Sequence, residues 1–190
     1  MLRFVAEKCT AVLINHNTIS YDQRNIYIYG FELFCSTAFC IISILTIGAL
    51  FGYLNLAAAF VLFFVPIRVP AGGYHAKSYG RCFILTNSVA IVCVIISQVL
   101  WYVNDYEWLI WIFLLGSFVY IWMNAPVQTK EHPLKPERIM KNRRYAHYLL
   151  VIELIILLLL RIVSDSCIVY TGIVTSYAVA IMIALAKKGG

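Results

Sequence analysis

The sequence predicts an all-α, polytopic membrane protein. Three observations carry that prediction: extreme apolarity, apolar runs of spanning length, and charge gathered in alternate loops. Of 190 residues, 62% are hydrophobic and 13% charged, and the mean hydropathy is +0.83. Average soluble domains carry about 25% charged residues. A small soluble globule leaves much of its surface exposed to water and cannot hide this much apolar area. Lipid removes the difficulty.

Six apolar segments follow one another at 33–51, 54–67, 83–103, 108–125, 147–163 and 167–186. A helical span takes about 20 apolar residues. Five segments approach that length. The second, Leu54 to Ile67, is short and runs into Pro66 and Pro70. A full span, a tilted partner of its neighbour and a re-entrant segment all remain open for it. The length and the absence of a linker or repeat predict one domain over 1–190.

Orientation comes from the cations. Lys and Arg concentrate on the cytoplasmic side of inner membranes. One loop holds Arg68, Lys77 and Arg81. A later one, 128–145, holds Lys130, Lys135, Arg138, Lys141, Arg143 and Arg144, and the tail ends in Lys187-Lys188. The intervening turns carry no Lys or Arg: Phe51–Asn55, Asn104–Glu107 and Ser164–Ser166. Six crossings with both termini in the cytoplasm follow. The formal net charge of +6 is accounted for by these loops and needs no nucleic acid.

Residues 1–30 carry Arg3, Glu7, Lys8, Asp22 and Arg24, with no long apolar core of the signal-peptide kind. Leu2, Val5, Ala6, Cys9, Val12 and Leu13 recur every three or four residues, which predicts an amphipathic interfacial helix over 1–30. The six cysteines (Cys9, Cys35, Cys40, Cys82, Cys93 and Cys167) scatter through spans and the reducing side and do not read as a disulfide framework.

The chemistry gathers at 68–82. Pro70, three glycines, His75, Cys82 and three cations fall within 15 residues. Gly72, Gly73 and Gly80 permit backbone bends and close approach. Backbone N–H groups presented by such a loop suit a developing oxyanion. His75 and Cys82 are seven residues apart, and on one straight helix they would stand about 10 Å apart along the axis. Proton transfer needs about 3 Å, so a base–nucleophile pair requires the chain to turn back, with Tyr79-Gly80 the expected place. A free thiol is mostly protonated at neutral pH, and an adjacent imidazole generates the thiolate. Against this stands the ordinary role of a cysteine at a span end, a small buried hydrophobe. His132 and His147 lie too far along the chain for a zinc pattern with His75 and Cys82, so no metal or cofactor is expected.

The string Arg68…Gly72-Gly73-Tyr74-His75-Ala76-Lys77-Ser78…Cys82 resembles the active-site signature of the AgrB family, the accessory gene regulator proteins. Three further stretches are similar: Arg24…Tyr29-Gly30-Phe31-Glu32 at the entry to the first span, Ala125-Pro126 at the end of the fourth, and His132-Pro133 followed by Lys141–Arg144. Where the family often has Asn-Lys-Pro after Ala-Pro, this chain has Glu131-His132-Pro133. The resemblance covers nearly the whole chain. It implies an integral-membrane cysteine endopeptidase with Cys82 as nucleophile and His75 as base. The implied substrate is an AgrD-like autoinducer propeptide, which loses its C-terminal tail and cyclises to a thiolactone or lactone. A homodimer in the lipid bilayer is implied as well.

Supporting roles are expected around that pair. Arg68 and Lys77 either obey the positive-inside rule or hold an acidic propeptide group, and Ser78 is placed to orient His75. Glu32, at a span entry, needs a partner such as Arg24 or Arg68. Glu153 and Arg161 share a helical face near the ends of the fifth span and are expected to snorkel. Two readings from other classes compete: a peptide exporter with 68–82 as its gate, and a scaffold that binds a partner through 128–145. Transporters tend to place charged and broken-helix features at the bilayer midplane. Here they gather at the edge, which favours the enzyme.

Overall fold

The computed structural model describes residues 2–16, 18–72, 79–103, 107–127, 136–163 and 166–189. All the elements are helical: α1 (Leu2–Asn15), a 3₁₀ turn (Tyr21–Gln23), α2 (Arg24–Leu50), α3 (Leu54–Ala71), α4 (Tyr79–Tyr102), α5 (Glu107–Asn124), α6 (Pro136–Val163) and α7 (Cys167–Gly189). Six helices, α2 to α7, are long and apolar enough to cross a membrane. The chain is a multi-pass membrane protein. It divides into two compact units, Met1–Ile44 and Leu45–Gly190.

In the first unit, the helix expected over 1–30 is shorter. α1 ends at Asn15, and α2 already begins at Arg24. Between them stand Thr18 and Ser20, residue types whose short polar side chains compete with a helix for backbone hydrogen bonds. On α1, Val5, Cys9 and Val12 are exposed while Ala6 and Thr10 are buried, and the Thr10 hydroxyl donates to the Ala6 carbonyl at 2.8 Å.

The second unit opens with a tight helical hairpin. The last turn of α2 closes in a Schellman motif: Gly52 N–H donates to Ala49 O at 3.2 Å and Tyr53 N–H to Gly48 O at 2.7 Å. Gly52 takes φ 78°, a conformation that favours glycine. A Cβ at Gly48 would stand 2.4 Å from the Ala57 Cβ, so the two backbones touch.

The short second segment is an 18-residue helix that continues through Pro66 and Pro70 to Ala71. At 1.5 Å per residue it reaches about 27 Å, close to the roughly 30 Å hydrocarbon thickness. Its length and composition suffice for a full crossing.

α7 is the axis of the unit. It packs against α3, α4, α5 and α6, and its residues from Val169 to Ser176 are buried. Gly172 makes this possible, since a Cβ there would meet Leu157 of α6 at 2.5 Å and the Phe63 ring of α3 at 3.0 Å. Between membrane helices, small residues allow close approach where water supplies no driving force.

Polar side chains inside the unit find protein partners, and no buried side-chain nitrogen or oxygen among the described residues lacks a hydrogen bond. Thr171 Oγ1 lies 3.0 Å from Ser97 Oγ of α4. Glu153 is not a snorkelling residue. It is 5% exposed, and its Oε1 accepts from Ser176 Oγ of α7 at 2.6 Å. Arg161 grips Glu107 of α5 through two nitrogens, with Nη2 2.7 Å from Oε2. Glu153 lies ten residues before the end of α6 and faces α7, too deep to reach the interface.

We expect Gly172→Leu to destabilise the detergent-solubilised protein by about 1–3 kcal/mol through overpacking against Leu157 and Phe63. Gly116→Leu is the control, because a Cβ at Gly116 meets nothing within 4 Å. Thermal unfolding followed by fluorescence-detected size exclusion should show a lower midpoint for the first substitution and a small change for the second.

Candidate active site

One end of the second unit carries the cations. There the C-terminal ends of α3, α5 and α7 meet the N-terminal starts of α4 and α6, and Arg68, Arg138, Lys141, Arg143, Arg144, Lys187 and Lys188 stand at that end. The far end holds the Glu107–Arg161 pair.

α3 ends at Ala71, where Gly72 leaves the helix. Gly72 takes φ 70° and ψ −147°, outside helical space, and its N–H donates back to Arg68 O at 3.2 Å. The half-buried Arg68 side chain then donates to the Gly72 carbonyl from Nη1. Residue 68 thereby caps its own helix from both sides. Gly72 also forms an isolated parallel bridge with Val127, in which Val127 N–H donates to Ala71 O at 2.9 Å. A Cβ at Gly72 would fall 2.6 Å from the Val127 carbonyl oxygen. Glycine is required here twice over, by φ and by contact.

Cys82 is the fourth residue of α4 and half-buried. Its carbonyl accepts from Thr86 Oγ1 at 2.9 Å, and in the next position Asn87 Nδ2 donates to Phe83 O at 2.9 Å. Both are back-bonds from a side chain to the carbonyl four residues earlier on the same helix. The Arg68 guanidinium and the Cys82 sulfur are close enough to interact electrostatically, and they attract when the sulfur is a thiolate.

Four expected site residues, Gly73, His75, Lys77 and Ser78, lie outside the described residues. Arg68 and Gly72 are joined by the guanidinium–carbonyl hydrogen bond, and Arg68 interacts electrostatically with Cys82. Glu32 sits nine residues into α2, in the first unit. One expectation is corrected. Tyr79 and Gly80 are the first two residues of α4 and cannot provide the reversal between His75 and Cys82. Nothing lies within 4 Å of a Cβ at Gly80.

Two contacts were missed by sequence reasoning. The bridge from Gly72 to Val127 joins residues 55 positions apart and leaves no periodic trace. The Glu107–Arg161 pair had a readable signal, an acid opening one span and a base closing the next at the same end.

The sequence model of the family described as Accessory gene regulator B matches residues 6–185. The chain belongs to the AgrB family. Two relatives from Clostridium perfringens, "Putative AgrB-like protein 2" of strain 13 / Type A and "Putative AgrB-like protein" of strain SM101 / Type A, are each 28% identical over 148 residues, 75% of this chain. The match spans 66% of each relative's own length. No solved structure matches. AgrB membership agrees with six apolar helices.

Gly72→Ala and Gly80→Ala separate the two glycine roles. Gly80→Ala should be neutral or stabilise α4 by up to about 1 kcal/mol, the helix-propensity difference. Gly72→Ala should break the bridge to Val127 and lower any processing activity at least tenfold, a loss of about 1.4 kcal/mol in transition-state stabilisation. Cleavage assays on the two purified variants, compared at equal folded fraction, check both.

Proposed function

We propose that this AgrB-family chain is a cysteine endopeptidase of the bacterial cell membrane, with Cys82 as nucleophile, His75 as base, and an AgrD-like propeptide as substrate. The observation that carries the reading is the position of Cys82: first turn of a helix, half-buried, within electrostatic reach of Arg68. Arg68 also holds the opposite end of the segment that contains His75. A thiol in apolar surroundings alone would be inert.

The reaction runs in two transfers. His75 takes the Cys82 proton, and the sulfur attacks the carbonyl carbon that joins signal segment to tail. The C–N bond breaks, His75 returns the proton to the leaving amine, and the tail departs with a new N-terminus. The signal segment remains as a thioester on Cys82. A cysteine or serine side chain within the propeptide then attacks that thioester, freeing the Cys82 thiol and closing a thiolactone or lactone ring. Exchange of one thioester for another nearly conserves bond energy, whereas water attack would give a linear peptide. The membrane edge favours the first outcome by limiting water.

In this reading the basic end faces the cytoplasm, as positive-inside placement requires, and a twofold dimer is the working assembly. Lys77 and Ser78 support His75, and Glu32 stabilises the entry to the first span. The six cations of 128–145 against Glu131 and Glu137 attract an acidic propeptide tail. On α6, Lys141, Arg144, Tyr145 and Tyr148 line a shallow cleft there.

Cys82→Ala and His75→Ala should each abolish tail release in nanodiscs with purified propeptide, while Cys93→Ala, a buried packing position, retains it. Tail release by Cys82→Ala refutes the covalent route. Lys141→Glu with Arg144→Glu should raise KM, weaken its salt dependence and leave Cys82 alkylation unchanged. Each lost attraction is worth on the order of 1 kcal/mol. An unchanged KM in neutral-lipid nanodiscs refutes docking through this loop.

A further inference from the structure

Helix α6 is longer than the membrane is thick. Its 28 residues reach about 42 Å, against roughly 30 Å of hydrocarbon. Arg161, held to Glu107, marks the far end, and Lys141 stands about 30 Å back along the axis from it. Lys141 and its neighbours therefore lie at the membrane edge, on the basic end. Below them the helix has two faces. Ala146, Leu150, Glu153 and Leu157 point into the protein and are each 5% exposed or less. The other face carries Ile152, Ile155, Ile156 and Leu159, between 41% and 56% exposed. Followed toward the basic end, that row continues as Tyr148, Tyr145, Arg144 and Lys141, at the three- and four-residue spacing that keeps to one helical face. These four line a shallow cleft with Met140, and Glu137 stands at its outer lip. Lys141 Nζ is 5.9 Å from the Tyr145 ring centroid, and no ion pair among the described residues engages Lys141 or Arg144.

We propose that this cleft holds the headgroup of one anionic phospholipid, with the phosphate between Lys141 and Arg144 and the acyl chains along Ile152 to Leu159. Three features select that occupant. The cleft sets two cations against one carboxylate, and Glu137 lies a turn farther out than Lys141, so attraction for an anion is strongest below the lip. Tyr145 and Tyr148 come next, and rings with a polar tip favour the level between headgroups and hydrocarbon. The apolar row then begins directly beneath them. Charge, amphipathic ring and hydrocarbon follow in the order in which a phospholipid presents headgroup, glycerol and acyl chain. An acidic peptide matches only the upper half of this face. The inference stands apart from the endopeptidase reading. It bears on that reading in one respect: Lys141 and Arg144 are also the cations offered to the propeptide tail, and a seated headgroup competes with the tail for them.

The test uses the full-length protein in detergent micelles. Phosphatidylglycerol and phosphatidylcholine with identical acyl chains are titrated separately, and native mass spectrometry reads the dissociation constant of the first lipid retained. Phosphatidylglycerol should be held about tenfold or more tightly, since each cation at a lipid surface contributes several-fold. Lys141→Gln with Arg144→Gln should bring the two lipids to within about twofold of each other. Arg138→Gln with Arg143→Gln removes the same charge from the same helix outside the cleft and should preserve the preference. All four side chains are exposed, so neither pair threatens the fold. Equal affinity for the two lipids in the unaltered protein overturns the inference. Equal loss in both double variants assigns the effect to net charge and overturns it as well. Hexaglutamate is added last, at a concentration equal to that of the lipid. Retention of the lipid supports the assignment, and its displacement makes the cleft a site for acidic peptide and overturns it.

Discussion

Hydrocarbon offers no hydrogen bonds, and that constraint organises the molecule. Backbone N–H and C=O groups at membrane depth must be satisfied within the protein, which leaves helices as the spanning element for a chain of this pattern. Side chains follow the same rule. Thr10, Thr86, Asn87, Ser97, Ser117, Thr171 and Thr175 all reach back to a carbonyl three or four residues earlier on their own helix. Once self-satisfied, such residues can lie at helix contacts without cost, and α7 collects several of them. With no hydrophobic gain between helices in lipid, close approach at Gly48 and Gly172 supplies the packing.

The same constraint explains where irregular backbone occurs. At the basic end, α3 stops at Ala71, and the carbonyls of Arg68, Ala71 and Gly72 are each taken up: by Gly72 N–H, by Val127 N–H and by the Arg68 guanidinium. An open chain end at the membrane edge would otherwise be solvated by water and left mobile. Here it is closed by a residue from another loop and by a cation. A loop with satisfied ends can carry reactive groups without the helix ends fraying beneath it. Arg68 serves two purposes at once, as it caps α3 and lies within electrostatic reach of Cys82.

Charge away from that end is used for joining helices. Glu107 and Arg161 form a two-point contact at the far end of α5 and α6, the geometry in which arginine outperforms lysine. Deeper down, Glu153 meets Ser176 across α6 and α7. Together with the Trp122–His147 stack, these give α6 a polar or aromatic tie near its middle, at Glu153 and at its C-terminal end. A long helix with an apolar, lipid-facing surface has little else to fix its rotation about its axis, because lipid accepts any of its apolar faces equally.

Much of this was legible in the chain. Composition and run length determined helices, their number and near boundaries, because lipid leaves so few alternatives. Alternation of cations determined which loops share an end. Arg68, Gly72 and Cys82 stood out because glycine, proline, thiol and cation are rare neighbours in an apolar chain. The tertiary structure alone decided the rest. Pro66 and Pro70 look like a stop, yet α3 runs through both to Ala71. Gly80 looks like a hinge, yet it lies in the first turn of α4, while Gly72 carries the strained backbone. Glu153 looks like an interfacial residue until α7 covers it. Val127 has nothing in its own side chain to mark it; its part comes from a backbone N–H, which every residue but proline owns, placed opposite Ala71 by the packing of α3 against its neighbours. Local pattern encodes the period and the solvent of each helix. It does not encode which backbone groups meet across helices, since that depends on the shapes of all of them at once.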